Sequence, residues 1–158
     1  METLSPITGE PIVLDLSALS AGTALALASE CARAFAAITA ASGRVGELLL
    51  LTQLTDPHED ALQAFGTLWK ELDDKATAAI GTMEADPHGC VRALDGFHAD
   101  GRRTVNMFAD AFALSGMNSD HQVLLTGYAM TVAAIEDHRS TAIAELLGLS
   151  GQAPSALN

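Results

Sequence analysis

Basic residues are scarce in this chain: 8 Lys and Arg stand against 20 Asp and Glu in 158 residues, a formal charge of −12. A binder of phosphate backbones or anionic headgroups needs clustered cations whose contacts release counterions, so nucleic acid is not an expected partner. The one tight basic pair, Arg102 and Arg103, is flanked by Asp100 and Asp110 and belongs to a mixed-charge helix face. Cysteine is nearly absent. Cys31 and Cys90 lie far apart without CxxC spacing, which excludes a zinc site or a disulfide framework. They are expected as small buried hydrophobes in a reducing compartment, with a bridge between the two as the other arrangement left open.

Other signatures are missing too. There is no CxxCH, no GxSxG, no Gly-rich phosphate loop and no Glu-x-x-His pair, so neither haem attachment, nucleophilic catalysis nor a di-iron carboxylate site is indicated. The N-terminus has no basic n-region. The uncharged stretch from Leu16 to Ser29 has 14 residues before Glu30 and Arg33 interrupt it, short of the roughly 20 apolar residues that span a bilayer. The expectation is a soluble cytoplasmic protein without a transmembrane segment. Runs of alternating β-branched residues between turn signals are also lacking, and a sheet is not expected.

The 5 prolines, at Pro6, Pro11, Pro57, Pro87 and Pro154, leave long intervals free for helices. Two follow an aspartate, in ThrAspProHis (55–58) and AlaAspProHis (85–88), the pairing expected at an N-cap and first helical turn. The repeated AspProHis is one capping solution used twice. From Asp15, the steps Leu16, Leu19, Thr23, Leu27, Cys31, Ala34, Ile38, Ala41, Val45, Leu48 and Leu49 give a first helix. A kink or break is expected near Gly43 and Gly46, since glycine is the poorest helix former after proline.

A second helix from Pro57 to about Glu84 turns Phe65, Leu68, Trp69, Leu72, Ala76 and Ile80 to one side. A third, Pro87 to about Ser115, carries Val91, Leu94, His98, Gly101, Val105, Phe108 and Phe112 in alternating steps of three and four. After SerGlyMetAsnSerAsp (115–120), a fourth helix capped by Ser119 or Asp120 runs to Leu147. It places Leu125, Tyr128, Val132, Ile135, Ala142 and Leu146 inward, with Gly148 as C-cap. Long helices joined by short turns fold back on one another, so the expected fold is an all-α antiparallel up-down four-helix bundle over residues 15–148. Residues 1–14 would be an extension and 149–158 a frayed tail.

Histidine is the side chain that titrates near neutrality without help. His58, His88 and His121 fall in first helical turns and are expected to be exposed and incidental. His98 interrupts an apolar stripe and His138 borders one. At about 1.5 Å per residue both lie roughly 15 Å from the same end of the bundle. With Asp95 one turn before His98 and Asp74 at the matching level of the second helix, they could hold a divalent metal; otherwise they are partly buried, hydrogen-bonded histidines.

Leu48, Leu49, Leu50 and Leu51 cover a full helical turn and cannot all face one core. They are either an association surface or a completely buried segment. Few charges and many small residues outside the apolar stripes also favour self-association or a helical protein partner.

The Ala-rich segment AlaLeuAlaLeuAlaSerGluCysAlaArgAlaPheAlaAlaIle (24–38), followed by helices opened by AspPro as in AspProHisGlyCysValArgAlaLeu (86–94), resembles the phasins, helical proteins that coat polyhydroxyalkanoate granules. The resemblance covers residues 16–115. It implies no catalytic residues, and apolar helix faces laid on a polymer granule or on each other. Well-marked caps, with Trp69 and Tyr128 in stripe positions, depart from that pattern toward a closed bundle. The sequence therefore points to a non-enzymatic association protein without cofactor, with a metal-binding bundle at His98 and His138 as the alternative.

Overall fold

The computed structural model describes residues 2–4, 11–13 and 15–148. The expected tail at 149–158 lies outside them. Four helices, α1 (Ala21–Leu49), α2 (Asp56–Ile80), α3 (Pro87–Leu114) and α4 (Ser119–Leu146), form an all-α bundle with up-down connections. Ahead of them, β1 (Glu2–Leu4) and β2 (Pro11–Val13) pair antiparallel, Thr3 opposite Ile12, with β1 beside α4. This ribbon was not expected. Three residues per strand are too few for an alternation to register, and Pro11 is tolerated because it opens its strand.

The caps explain the helix starts. Ser20 accepts from the Thr23 N–H at 3.1 Å and Asp86 from the Gly89 N–H at 3.0 Å. Thr55, rather than Asp56, occupies the N-cap of α2, and Asn118, rather than Ser119 or Asp120, that of α4. α2 ends at Ile80, before the expected Glu84. Gly116, with φ +82°, turns the chain out of α3 in a left-handed conformation that glycine adopts without strain.

α1 is one continuous helix through Gly43 and Gly46, so the expected break does not occur. Each glycine costs helix propensity locally, but Ser42, Val45 and Leu49 are buried on either side of them, and that packing holds the register. Among the described residues α1 is also the one helix long and apolar enough to cross a membrane by length and composition; its apolar window continues past Glu30 and Arg33, at a mean hydropathy of 1.3. Ten of its side chains are buried in the bundle.

The cross-section is a flattened rhombus. α1 packs along both α3 and α4, and α2 along α3, so α1 and α3 form the short diagonal while α2 and α4 take opposite edges. Aromatic stacking fills the α2–α3 side: Phe65 lies on Phe108 with ring centroids 4.4 Å apart, and Trp69 stacks near Phe35 at 5.7 Å. Gly101 makes room for the indole, since a Cβ there would sit 3.1 Å from Trp69 Cη2. Trp69 Nε1 donates to Thr39 Oγ1 at 3.0 Å, tying α2 to α1.

Candidate association surface

α4 departs most from the expected pattern. Of the six positions expected inward, Tyr128 is buried, Leu125, Val132, Ile135 and Ala142 are half-buried, and Leu146 is exposed. The buried line of α4 runs His121, Tyr128, Arg139, Ile143 and Ala144. Two polar residues stand in that seam, which hides it from a search for apolar periodicity.

Arg139 is central to a polar node. Its Nη2 donates to Asp95 Oδ1 on α3 at 3.0 Å and lies 3.9 Å from Cys31 Sγ on α1. One turn away, His98 Nε2 donates to the Glu136 carboxylate at 2.9 Å. The step back along α3 from His98 to Asp95 matches the step forward along α4 from Glu136 to Arg139, as antiparallel helices require. These long side chains bridge α3 and α4 where the two backbones stand apart. Burial raises the Glu136 carboxyl pKa, but the hydrogen bond and charge of His98 outweigh it and hold the value below 4.5. Burial pushes the Cys31 thiol up against the opposing effect of Arg139, and burial likewise raises Cys90. Both cysteines are free and buried.

The four residues weighed for a metal are not brought together. His98 is buried against Glu136, Asp95 against Arg139, Asp74 pairs with Lys70 at 2.8 Å on the surface, and His138 is exposed. The residue that meets His98 is Glu136, two positions and more than half a helical turn from His138. Among the described residues no group of three or more His, Cys, Asp and Glu is placed to hold a metal ion.

His58 and His121, expected to be exposed, are buried, with 3 % and 1 % of their surface accessible; His88 is half-buried and donates from Nε2 to the Leu19 carbonyl at 2.8 Å. His58 Nδ1 accepts from the Thr55 N–H at 3.2 Å, which leaves Nε2–H to donate to the Gly116 carbonyl at 2.6 Å. His121 accepts at Nδ1 from the Asn118 N–H at 3.4 Å, so its Nε2–H donates to Thr52 Oγ1 at 2.9 Å, and Thr52 in turn donates to the Leu49 carbonyl. Each ring caps its own helix and grips the opposite turn, a structural role that the sequence signalled only through histidine at the third helical position.

The remaining face is different in character. From Gln122 to Ile135, α4 carries no charged residue over 14 positions, yet Tyr128 is the one buried side chain among them, with Leu124, Leu125, Val132 and Ile135 half-buried. Val123 is 72 % and Met130 69 % exposed. Between α4 and α1 runs a furrow with two hollows of about 260 and 280 Å³ that meet at Thr131. Small side chains on both walls, Ala37, Ala41, Gly127 and Ala134, bring the helices close and keep the furrow shallow. At its floor Ser42 donates to the Ile38 carbonyl, so the Tyr128 hydroxyl donates to Ser42 Oγ at 2.6 Å. Burial raises the Tyr128 pKa and this bond opposes the rise.

The leucine run divides at the end of this furrow. Leu49 is fully buried, Leu48 lines the furrow half-buried, and Leu50 and Leu51 are 66 % and 84 % exposed. Neither a wholly exposed patch nor a wholly buried segment describes it. Comparison with protein-family models, curated proteins and solved structures finds no match to this chain.

Proposed function

We propose that this protein works by association, through the face formed by α1 and α4. The observation that supports this most is the uncharged 14-residue length of α4 from Gln122 to Ile135, of which one side chain is buried. A bundle helix whose outer side needs only to meet water carries charge there, as α2 does with six acidic and two basic residues. Val123 and Met130 on α4, and Leu50 and Leu51 at the C-terminal end of α1, add large exposed apolar area. The surface suits a second copy, a helical partner protein, or the apolar surface of a phasin-like granule. It asks for no catalytic residue.

The test is the double variant Val123→Lys with Met130→Lys, both at exposed positions. Sedimentation velocity over a concentration series, and retention on hydrocarbon droplets, are compared with the unaltered protein. Loss of both forms of association with an unchanged circular dichroism spectrum is the expected result. An unaltered protein that neither self-associates nor is retained by droplets overturns the reading.

A further inference from the structure

Resting on the reading of the α1–α4 face as an association surface, we infer that its occupant is a second copy of this chain, docked antiparallel about a two-fold axis at the level of Ala40 and Met130. Charge supplies the first argument. The two copies each carry −12, and repulsion is least where the least charged faces meet. α1 has two acidic and two basic residues, whereas α2, with its six acidic and two basic residues, occupies the edge opposite α4. Contact through α1 and α4 therefore holds the two acidic edges as far apart as the fold permits.

The second argument is the pattern along α1. Its exposed ridge reads Arg33, Ala36, Ala40, Gly43 and Glu47. Arg33 and Glu47 each lie seven residues from Ala40 and carry opposite charge. Laid antiparallel on its own copy with Ala40 at the crossing, α1 brings Arg33 against the partner's Glu47, and two-fold symmetry makes that pair twice. A parallel arrangement would instead set like charge against like. Glu47 has no ion-pair partner among the described residues, and Arg33 has only the weak local pair with Glu30 at 2.9 Å. The small residues between the charged ends allow close approach of the two helices.

α4 leads independently to the same axis. The Cys31–Arg139 and Ser42–Tyr128 contacts fix the antiparallel register of α1 and α4. Continuing that register two residues from the Ser42–Tyr128 contact pairs Ala40 with Met130. Met130 is the most exposed large apolar residue in the middle of the uncharged stretch, so the axis that balances the charges of α1 also sets this side chain against its symmetry mate.

Three variants test the dimer, its axis and its register. Ala40→Cys places an exposed thiol at the axis while Cys31 and Cys90 stay buried, and mild oxidation should give a covalent dimer; Leu68→Cys, on the partly exposed side of α2, should not. Arg33→Glu and Glu47→Arg should each weaken the dimer about tenfold in sedimentation equilibrium, and the double exchange should restore it. Single exchanges without effect, or a Leu68→Cys dimer forming as readily, overturn this axis and register while leaving the proposed association face standing if Val123→Lys with Met130→Lys still abolishes association. A protein that stays monomeric at millimolar concentration but is retained on hydrocarbon droplets overturns the second copy as occupant and not the face.

Discussion

His58 and His121, on different helices, pack edge to face with ring centroids 4.8 Å apart, and both rest on Phe112, at 4.3 and 5.0 Å. Each ring accepts from its own helix start and donates to the turn leading into the other's helix. The α1–α2 and α3–α4 turns are thereby latched at one end of the bundle. His58→Ala leaves the Gly116 carbonyl without its donor and opens a hole beside Phe112, and should cost about 2–4 kcal/mol in urea unfolding. His58→Gln can still reach back to the Thr55 N–H and should recover part of that loss. A wild-type midpoint for His58→Ala would show that the latch contributes nothing.

The Glu136–His98 pair makes stability depend on pH in a defined direction. The Glu136 pKa is lower folded than its ordinary 4.5, so the native state holds the charged form more strongly than the unfolded chain does. Its contribution is fully present above the ordinary value and is lost as the pH falls through the lowered one. Glu136→Gln should therefore reduce the melting temperature at neutral pH and converge on the unaltered protein once the pH has fallen through that lowered value. Parallel curves for the two proteins across the acid range would contradict this.

The architecture was legible because its determinants are local and repeated. Pro57 and Pro87 mark helix starts, Phe65, Trp69, Leu72, Phe108 and Phe112 keep apolar period, and the turn residues fall where the chain reverses. What could not be read was rotation. Arg139 and His121 sit in the seam of α4, and a polar residue in an apolar seam has the same letter as one in water until its partner, Asp95 or Thr52, is known. His98 and His138 miss one another by that margin: helix level follows from counting, whereas the facing side depends on which polar residues the neighbours can satisfy. The proposed association face had a signal in the sequence, the absence of charge from Gln122 to Ile135, but periodicity drew attention only to Leu125, Tyr128, Val132 and Ile135 and assigned them to the core.

Cys31 and Cys90 should be almost unreactive in the native state. Both are buried and both thiols are shifted up, so little thiolate is present near neutral pH. Labelling with an aromatic disulfide reagent should be slow in buffer and should reach both thiols promptly in denaturant. Rapid native labelling would mean that the α1–α3 interface opens readily. Arg139→Leu removes the guanidinium that lies against Cys31 Sγ and leaves Asp95 without its partner, so it should speed labelling by lowering stability, even though the direct effect of losing that charge is to raise the Cys31 pKa further.

Glycine substitution separates helix continuity from helix packing. Gly46 and Gly66 lie inside α1 and α2 with no atom within 4 Å of an added Cβ, so alanine there removes backbone entropy from the unfolded chain without a clash. Gly46→Ala and Gly66→Ala should each raise stability by about 0.5–1 kcal/mol. Gly101 is the opposite case. Its Cβ would meet Trp69 Cη2 at 3.1 Å, and the branched methyls of valine would press further against an indole held by Thr39 and by Phe35. Gly101→Val should cost roughly 1–3 kcal/mol despite its better helix propensity. A stabilising Gly101→Val would place Trp69 elsewhere, and a destabilising Gly46→Ala would mean that α1 bends at the Gly43–Gly46 segment.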